Sequence, residues 1–188
     1  MHRIAGAAAA LCFMAVGGAA AQSPSSGADR LISEIRGGVF SHDTGVFSSN
    51  EEDGIALNGE ILFNGPDFLR YIGNPRPHIG GTWAVKDDTT SQAYFGLSWE
   101  ADFWRERMFF YGSFGGAIHT GETGPESEIP PNRKALGCRV LFRESLGLGV
   151  NLTPRVNVAA HLDHISNARL CDQNEGLENA GVRFGYRF

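Results

Sequence analysis

From about residue 31 to its end, the chain is written in two-residue steps. In the closing stretch "GVRFGYRF", Val182, Phe184, Tyr186 and Phe188 fall on one side, with Gly181, Arg183, Gly185 and Arg187 on the other. Side chains alternate across a strand with period 2, so this is a ribbon with one apolar, aromatic face. The pattern recurs upstream. Ile55, Leu57, Ile61 and Phe63 oppose Ala56, Asn58, Glu60 and Leu62, and Phe95, Leu97 and Trp99 oppose Tyr94, Ser98 and Glu100. Val156, Val158, Ala160 and Leu162 oppose Arg155, Asn157, Ala159, His161 and Asp163. Seven strands are expected near 31–42, 53–64, 77–86, 91–102, 107–119, 137–152 and 155–166, with an eighth at the C-terminus.

Two architectures bury such strands, a soluble β-sandwich and a closed barrel in lipid. With the apolar sets outside, Glu60, Glu100, Arg139, Arg143, His161, Asp163, Arg183 and Arg187 face inward, where charges of both signs can pair as burial requires. Two-faced segments of about ten residues suit a membrane barrel. Closure leaves no backbone edge unpaired in lipid. The terminal strand ending in phenylalanine also resembles the C-terminal assembly signal of bacterial outer-membrane barrels. The expected fold is all-β, an eight-stranded antiparallel transmembrane β-barrel, with the sandwich as the alternative. An even strand count puts both chain ends in the periplasm and the connections near 43–52, 87–90, 120–136 and 167–176 at the cell surface. "GETGPESEIPPNRKA" reads as a long surface loop and "NLTPRV" as a tight periplasmic turn. "FNGPDFLRYIGNPRP" is long for a periplasmic turn, and nothing in the pattern accounts for it. Glu144 is a second misfit, since parity aims it at lipid beside Phe142 and Leu146 unless a bulge turns it inward.

The N-terminus stands apart from this pattern. A basic start, the run "IAGAAAALCFMAVGG" and the small residues Ala19-Ala20-Ala21 describe a secretory signal peptide over residues 1–21. A short periplasmic segment, 22–30, would precede the barrel at 31–188. Leu11 stands before Cys12 where a lipoprotein signal needs a small residue, so Cys12 leaves with the peptide. That leaves Cys138 and Cys171 in an oxidising compartment, either bridged or two unrelated thiols. Beyond the signal no apolar run reaches the roughly 18 residues of a membrane-spanning helix. A net charge of −5 offers no broad basic footprint, so nucleic acid is excluded as a partner.

Candidate chemistry gathers at 161–179, "HLDHISNARLCDQNEGLEN". The outward face of Val156, Val158, Ala160 and Leu162 runs on to His164 and Ser166, two positions or about 6.6 Å apart along a strand. Serine needs an adjacent base to take its proton, and histidine has a suitable pKa. Glu178 shares the outward face of the last strand and falls opposite His164 in a simple hairpin, where it could fix the imidazole tautomer. Asn167 follows the serine as an oxyanion donor. Each type also has a plain reading: Ser and Asn form turns at strand ends, and Glu178 could be a rim carboxylate.

"HISNA" followed by "NEGLE", in the last two strands of an exported eight-stranded barrel, resembles the lipid A 3-O-deacylases of the Gram-negative outer membrane. The resemblance implies a serine hydrolase triad of His164, Ser166 and Glu178, with Asn167 in the oxyanion hole, acting on lipid A of lipopolysaccharide in the outer leaflet. "FRES", Phe142 to Ser145, is similar to the family's sixth strand and implies an inward Glu144. Arg169 replaces a glycine common in the family, and Cys171 is a departure of its own. Arg169 and Arg133, in surface loops, are candidates to meet lipid A phosphates. No metal-ligand cluster stands out, and hydrolysis of this kind needs no cofactor. The alternatives are a non-enzymatic structural or adhesive barrel, and a surface phospholipase or acyltransferase with the same residues. The pattern leaves monomer and homodimer equally open.

Overall fold

The computed structural model describes residues 30–45 and 51–188, so the expected signal peptide and residues 22–29 lie outside the described residues. Eight strands follow in order: β1 (Ile32–His42), β2 (Gly54–Phe63), β3 (Arg76–Ala84), β4 (Gln92–Phe103), β5 (Met108–His119), β6 (Val140–Asn151), β7 (Val156–Ser166) and β8 (Leu177–Arg187). Each pairs antiparallel with the next, and β8 returns to pair with β1, which closes the barrel. The two-residue alternation sets the faces. On β2, Ile55, Leu57 and Ile61 are exposed, whereas Ala56, Asn58, Glu60 and Leu62 are buried. Val39, Phe95, Ile118, Val182 and Phe184 continue the exposed apolar wall around the barrel.

Paired charge lines the lumen. Arg36 reaches Glu34 at 2.9 Å, Glu100 at 3.1 Å and Glu60 at 3.4 Å. Arg76 bridges Glu34 and Glu100, both at 2.6 Å. From β8, Arg183 reaches Glu60 at 3.1 Å and Arg187 reaches Glu100 at 2.8 Å. Arg143 binds Asp163 at 2.7 Å, and His161 shares a 2.7 Å hydrogen bond with Tyr111. Uncompensated ions here would cost several kcal/mol each, on the order of 3–5 for a broken pair. Arg139 departs from its expected inward place. Strand β6 begins at Val140 instead of 137, so Arg139 stays in the loop and donates to the carbonyls of His119 and Gly121.

The surface end is plugged from above. The stretch expected to be a free surface loop folds its end into the barrel mouth, where Lys134, Ala135 and Leu136 are fully buried. Leu136 packs with Tyr94, Ala117, Leu141, Ile165 and Leu177 in one apolar cluster. Its neighbours set polar contacts around it: Glu52 accepts from the Lys134 N–H at 2.9 Å and from the Thr90 N–H at 2.7 Å. Arg133, expected to be available to substrate, is drawn into this plug. Its guanidinium lies 3.7 Å from Glu52 and 3.6 Å from Glu122, and it donates to the Asp88 carbonyl.

Candidate active site

Strand register assembles the candidate residues on the outer wall at the surface end. Glu144 on β6 pairs with His164 on β7, which pairs with Glu178 on β8. These three form one row across the sheet. Ser166, the last residue of β7, stands one outward position higher, opposite Phe142. The β5–β6 and β6–β7 ladders run without a register shift through this region. No bulge therefore turns Glu144 inward. It stays half-buried on the outer wall, which corrects the inward placement implied by "FRES".

His164 Nδ1 lies 3.4 Å from Glu178 Oε1, with the imidazole 30% exposed and the carboxylate side chain 1% exposed. That distance is ion-pair range, longer than the usual N–H···O hydrogen bond of about 2.9 Å. Glu178 is held firmly. Its backbone carbonyl accepts the Thr44 N–H at 2.9 Å, and a Cβ at Gly45 would collide with its carboxylate. With Nδ1 toward the glutamate, Nε2 is turned away from it, the orientation a base needs if its other nitrogen is held. The opposite edge of the ring rests on bare backbone. A Cβ at Gly176 would lie 2.9 Å from His164 Cε1 and 3.4 Å from Nε2, and φ of 68° there also favours glycine.

Asn167 points the other way. Alternation that sends Ser166 outward sends its neighbour inward, and Asn167 is 3% exposed beneath the plug. Its amide donates to the carbonyls of Leu136, at 2.9 Å, and Gln173, at 2.5 Å, while its N–H donates to Asn174. Its donors are thus spent bracing two loops, not facing the serine. The chain then makes a tight turn closed by Leu170 N–H to Asn167 carbonyl at 3.0 Å, with positive φ at Ala168 and Arg169. Arg169 is exposed at this turn, three residues after the serine. Cys138 and Cys171 are bridged, with Cα atoms 6.1 Å apart, which ties the turn's loop to the loop before β6. Strand parity alone sends Asn167 inward, and Gly176 at the hairpin end marks the close approach to His164.

An eight-stranded closed barrel with an apolar outer wall and a charge-paired lumen defines an outer-membrane β-barrel, and solved structures agree. The crystal structure of the outer membrane enzyme PagL matches with a TM-score of 0.60 and 16% identity, over 82% of this chain and 99% of that one. Neisserial surface protein A gives 0.53 and 10%, over 84% and 97%. The N-terminal barrel domain of Pseudomonas aeruginosa OprF gives 0.52 and 13%, over 85% and 100%. At these identities the likeness is one of fold. A search of curated proteins found no match to the chain. The model of the lipid A 3-O-deacylase (PagL) family matches residues 30–187, and the chain belongs to that family. It is a bacterial outer-membrane protein of a hydrolase family.

Proposed function

We propose that this protein hydrolyses the ester of the 3-O-linked 3-hydroxyacyl chain of lipid A, with Ser166 as nucleophile. The observation that carries the reading is the pairing of His164 with Glu178 on the lipid-facing wall, one step below an outward serine. Ser166 Oγ attacks the ester carbonyl while His164 Nε2 takes its proton. The tetrahedral intermediate then collapses, the bond to the sugar oxygen breaks, and the imidazolium returns the proton to that oxygen. Water, deprotonated by the same histidine, releases the acid and restores the serine. Glu178 holds Nδ1–H and favours the imidazolium. Glu144 stands across the row on the neighbouring strand, on the other side of His164 from Glu178. The long Glu178 contact suits a substrate-free site, where such bonds commonly tighten on binding.

With the Asn167 amide engaged elsewhere, the oxyanion falls to backbone N–H groups of the turn, those of Ala168 and Arg169. The Arg169 guanidinium then meets a lipid A phosphate. Because the site opens sideways, the substrate is drawn from the membrane itself and its chain lies along the wall.

The test is mass spectrometry of lipid A incubated in detergent with the protein and with Ser166→Ala. Loss of one 3-hydroxyacyl mass, absent in the variant, is the expected result. Unchanged lipid A from a folded, heat-modifiable barrel sinks the reading. Cleavage of phospholipid esters instead would make the protein a phospholipase.

A further inference from the structure

The connection from β2 to β3, residues 64–75, exceeds the other two at that end, 104–107 and 152–155. It does not hang free in the periplasm. Asp67–Ile72 form a short 3-10 helix ended by Gly73 at φ 90°. Trp99, on the outward face of β4, donates its indole N–H to the Ile72 carbonyl at 2.8 Å. The Gly73 backbone lies against the same ring, where a Cβ would come 3.3 Å from Trp99 Cδ1. Those contacts fold the segment over the rim and onto the outer wall.

So placed, the segment shows a composition unlike that of a water-exposed turn. Leu69 is buried, while Phe68 is 69%, Tyr71 79% and Ile72 53% exposed. The Arg70 guanidinium sits 5.0 Å over the Tyr71 ring and donates to its hydroxyl at 3.0 Å. The exposed apolar trio continues, through Trp99, the lipid-facing wall of β4. Trp104, Arg105, Arg107 and Arg155 are exposed around the same end of the barrel. Amphipathic rings gather where one end of a side chain is wet and the other is in hydrocarbon, and guanidiniums pair with phosphates.

We infer that the 67–72 helix is an interfacial anchor seated in the periplasmic leaflet. Phe68, Tyr71 and Ile72 enter the headgroup–acyl boundary, and Arg70 reaches phospholipid phosphates. The Trp99 bond supplies the indole N–H with a partner at a depth where water is scarce. The anchor fixes the height of the barrel, and with it the depth of the outer-wall row at the other end.

The test uses the chain in vesicles of phosphatidylethanolamine and phosphatidylglycerol. Phe68→Cys carries an environment-sensitive fluorophore in a Cys12→Ser background, so that the new cysteine is the one free thiol beside the bridged pair. Ile72→Cys serves as a second labelling site, and heat-modifiability reports folding. Blue-shifted emission, quenched several-fold more by spin-labelled phospholipid than by aqueous iodide, is the expected result. Trp99→Phe should then release the segment and reverse that preference. A water-like spectrum quenched by iodide overturns the anchor, as does protection from both quenchers with energy transfer between labelled copies, which would assign the patch to a second chain.

Discussion

Gly176→Ala tests the candidate site without touching any residue proposed to take part in the chemistry. The new methyl would sit 2.9 Å from His164 Cε1. Ordinary carbon–carbon contact is about 3.5–4.0 Å, so the ring must retreat by roughly 0.6–1 Å. A displacement of about 1 Å in a reacting group can cost on the order of 10²-fold in rate, equal to about 2.7 kcal/mol of barrier. Separately, φ of 68° costs an alanine roughly 1–2 kcal/mol of fold stability. The expectation is a 10- to 100-fold loss of kcat for release of the 3-hydroxy acid, with a modest fall in the urea midpoint. Gly176→Asn separates the two effects, since asparagine tolerates the left-handed region but brings the same Cβ. It should regain stability and not rate. An alanine variant with undiminished kcat would refute the placement of His164 against this backbone, and with it the base assignment.

Four further outcomes follow from the geometry. Glu178→Gln should lower kcat by about 10²–10⁴-fold, because an amide can hold the ring in the wrong tautomer. Glu144→Gln should cost far less, and equal losses would contradict a row centred on the Glu178 side. Cys138→Ser with Cys171→Ser should reduce stability by roughly 3–4 kcal/mol, for a closed loop set by a separation of 33 residues. Urea titrations with and without the bridge measure this, and coincident curves would refute it. Glu52 governs acid behaviour at the mouth. Burial pushes its carboxyl up, and the His42 imidazole 3.5 Å away with hydrogen bonds from the Lys134 N–H and Thr90 more than offset this, holding it at about 2 against an ordinary 4.5. A depressed carboxyl stabilises the fold above about pH 4.5 and loses that contribution as pH falls toward 2. Glu52→Gln should therefore flatten the decline of the unfolding midpoint across that window, and an unchanged slope would count against the plug's polar network.

Lipid made the barrel readable. A wall that must be apolar outside and can be polar inside writes its register into every second residue, so strand positions and the outward His164 and Ser166 followed from parity. Pairing on β7 and β8 then placed Glu178 from hairpin geometry alone. The same parity, carried one residue past Ser166, sends Asn167 inward, and adjacency to the nucleophile was the weaker guide. Contacts made across the mouth leave no periodic trace. Lys134 to Leu136 belong to a stretch rich in proline and charge, yet they are buried because the open end of the barrel needs filling. Arg133 is lost to substrate for the same reason. Two cysteines in different loops carried no information about each other until the barrel brought those loops together.

The distribution of lumen charge has a consequence for biogenesis. Carboxylates arrive early in the chain, at Glu34, Glu60 and Glu100, whereas two of the arginines that meet them, Arg183 and Arg187, arrive with the final strand. Until β8 zips against β1, the nascent sheet lacks those counter-ions, and Arg36 and Arg76 must serve all three acids. Closing the seam completes the hydrogen-bond ladder and brings both arginines to those carboxylates together. The last strand thus carries both the backbone partner of β1 and two of the cations of the lumen network.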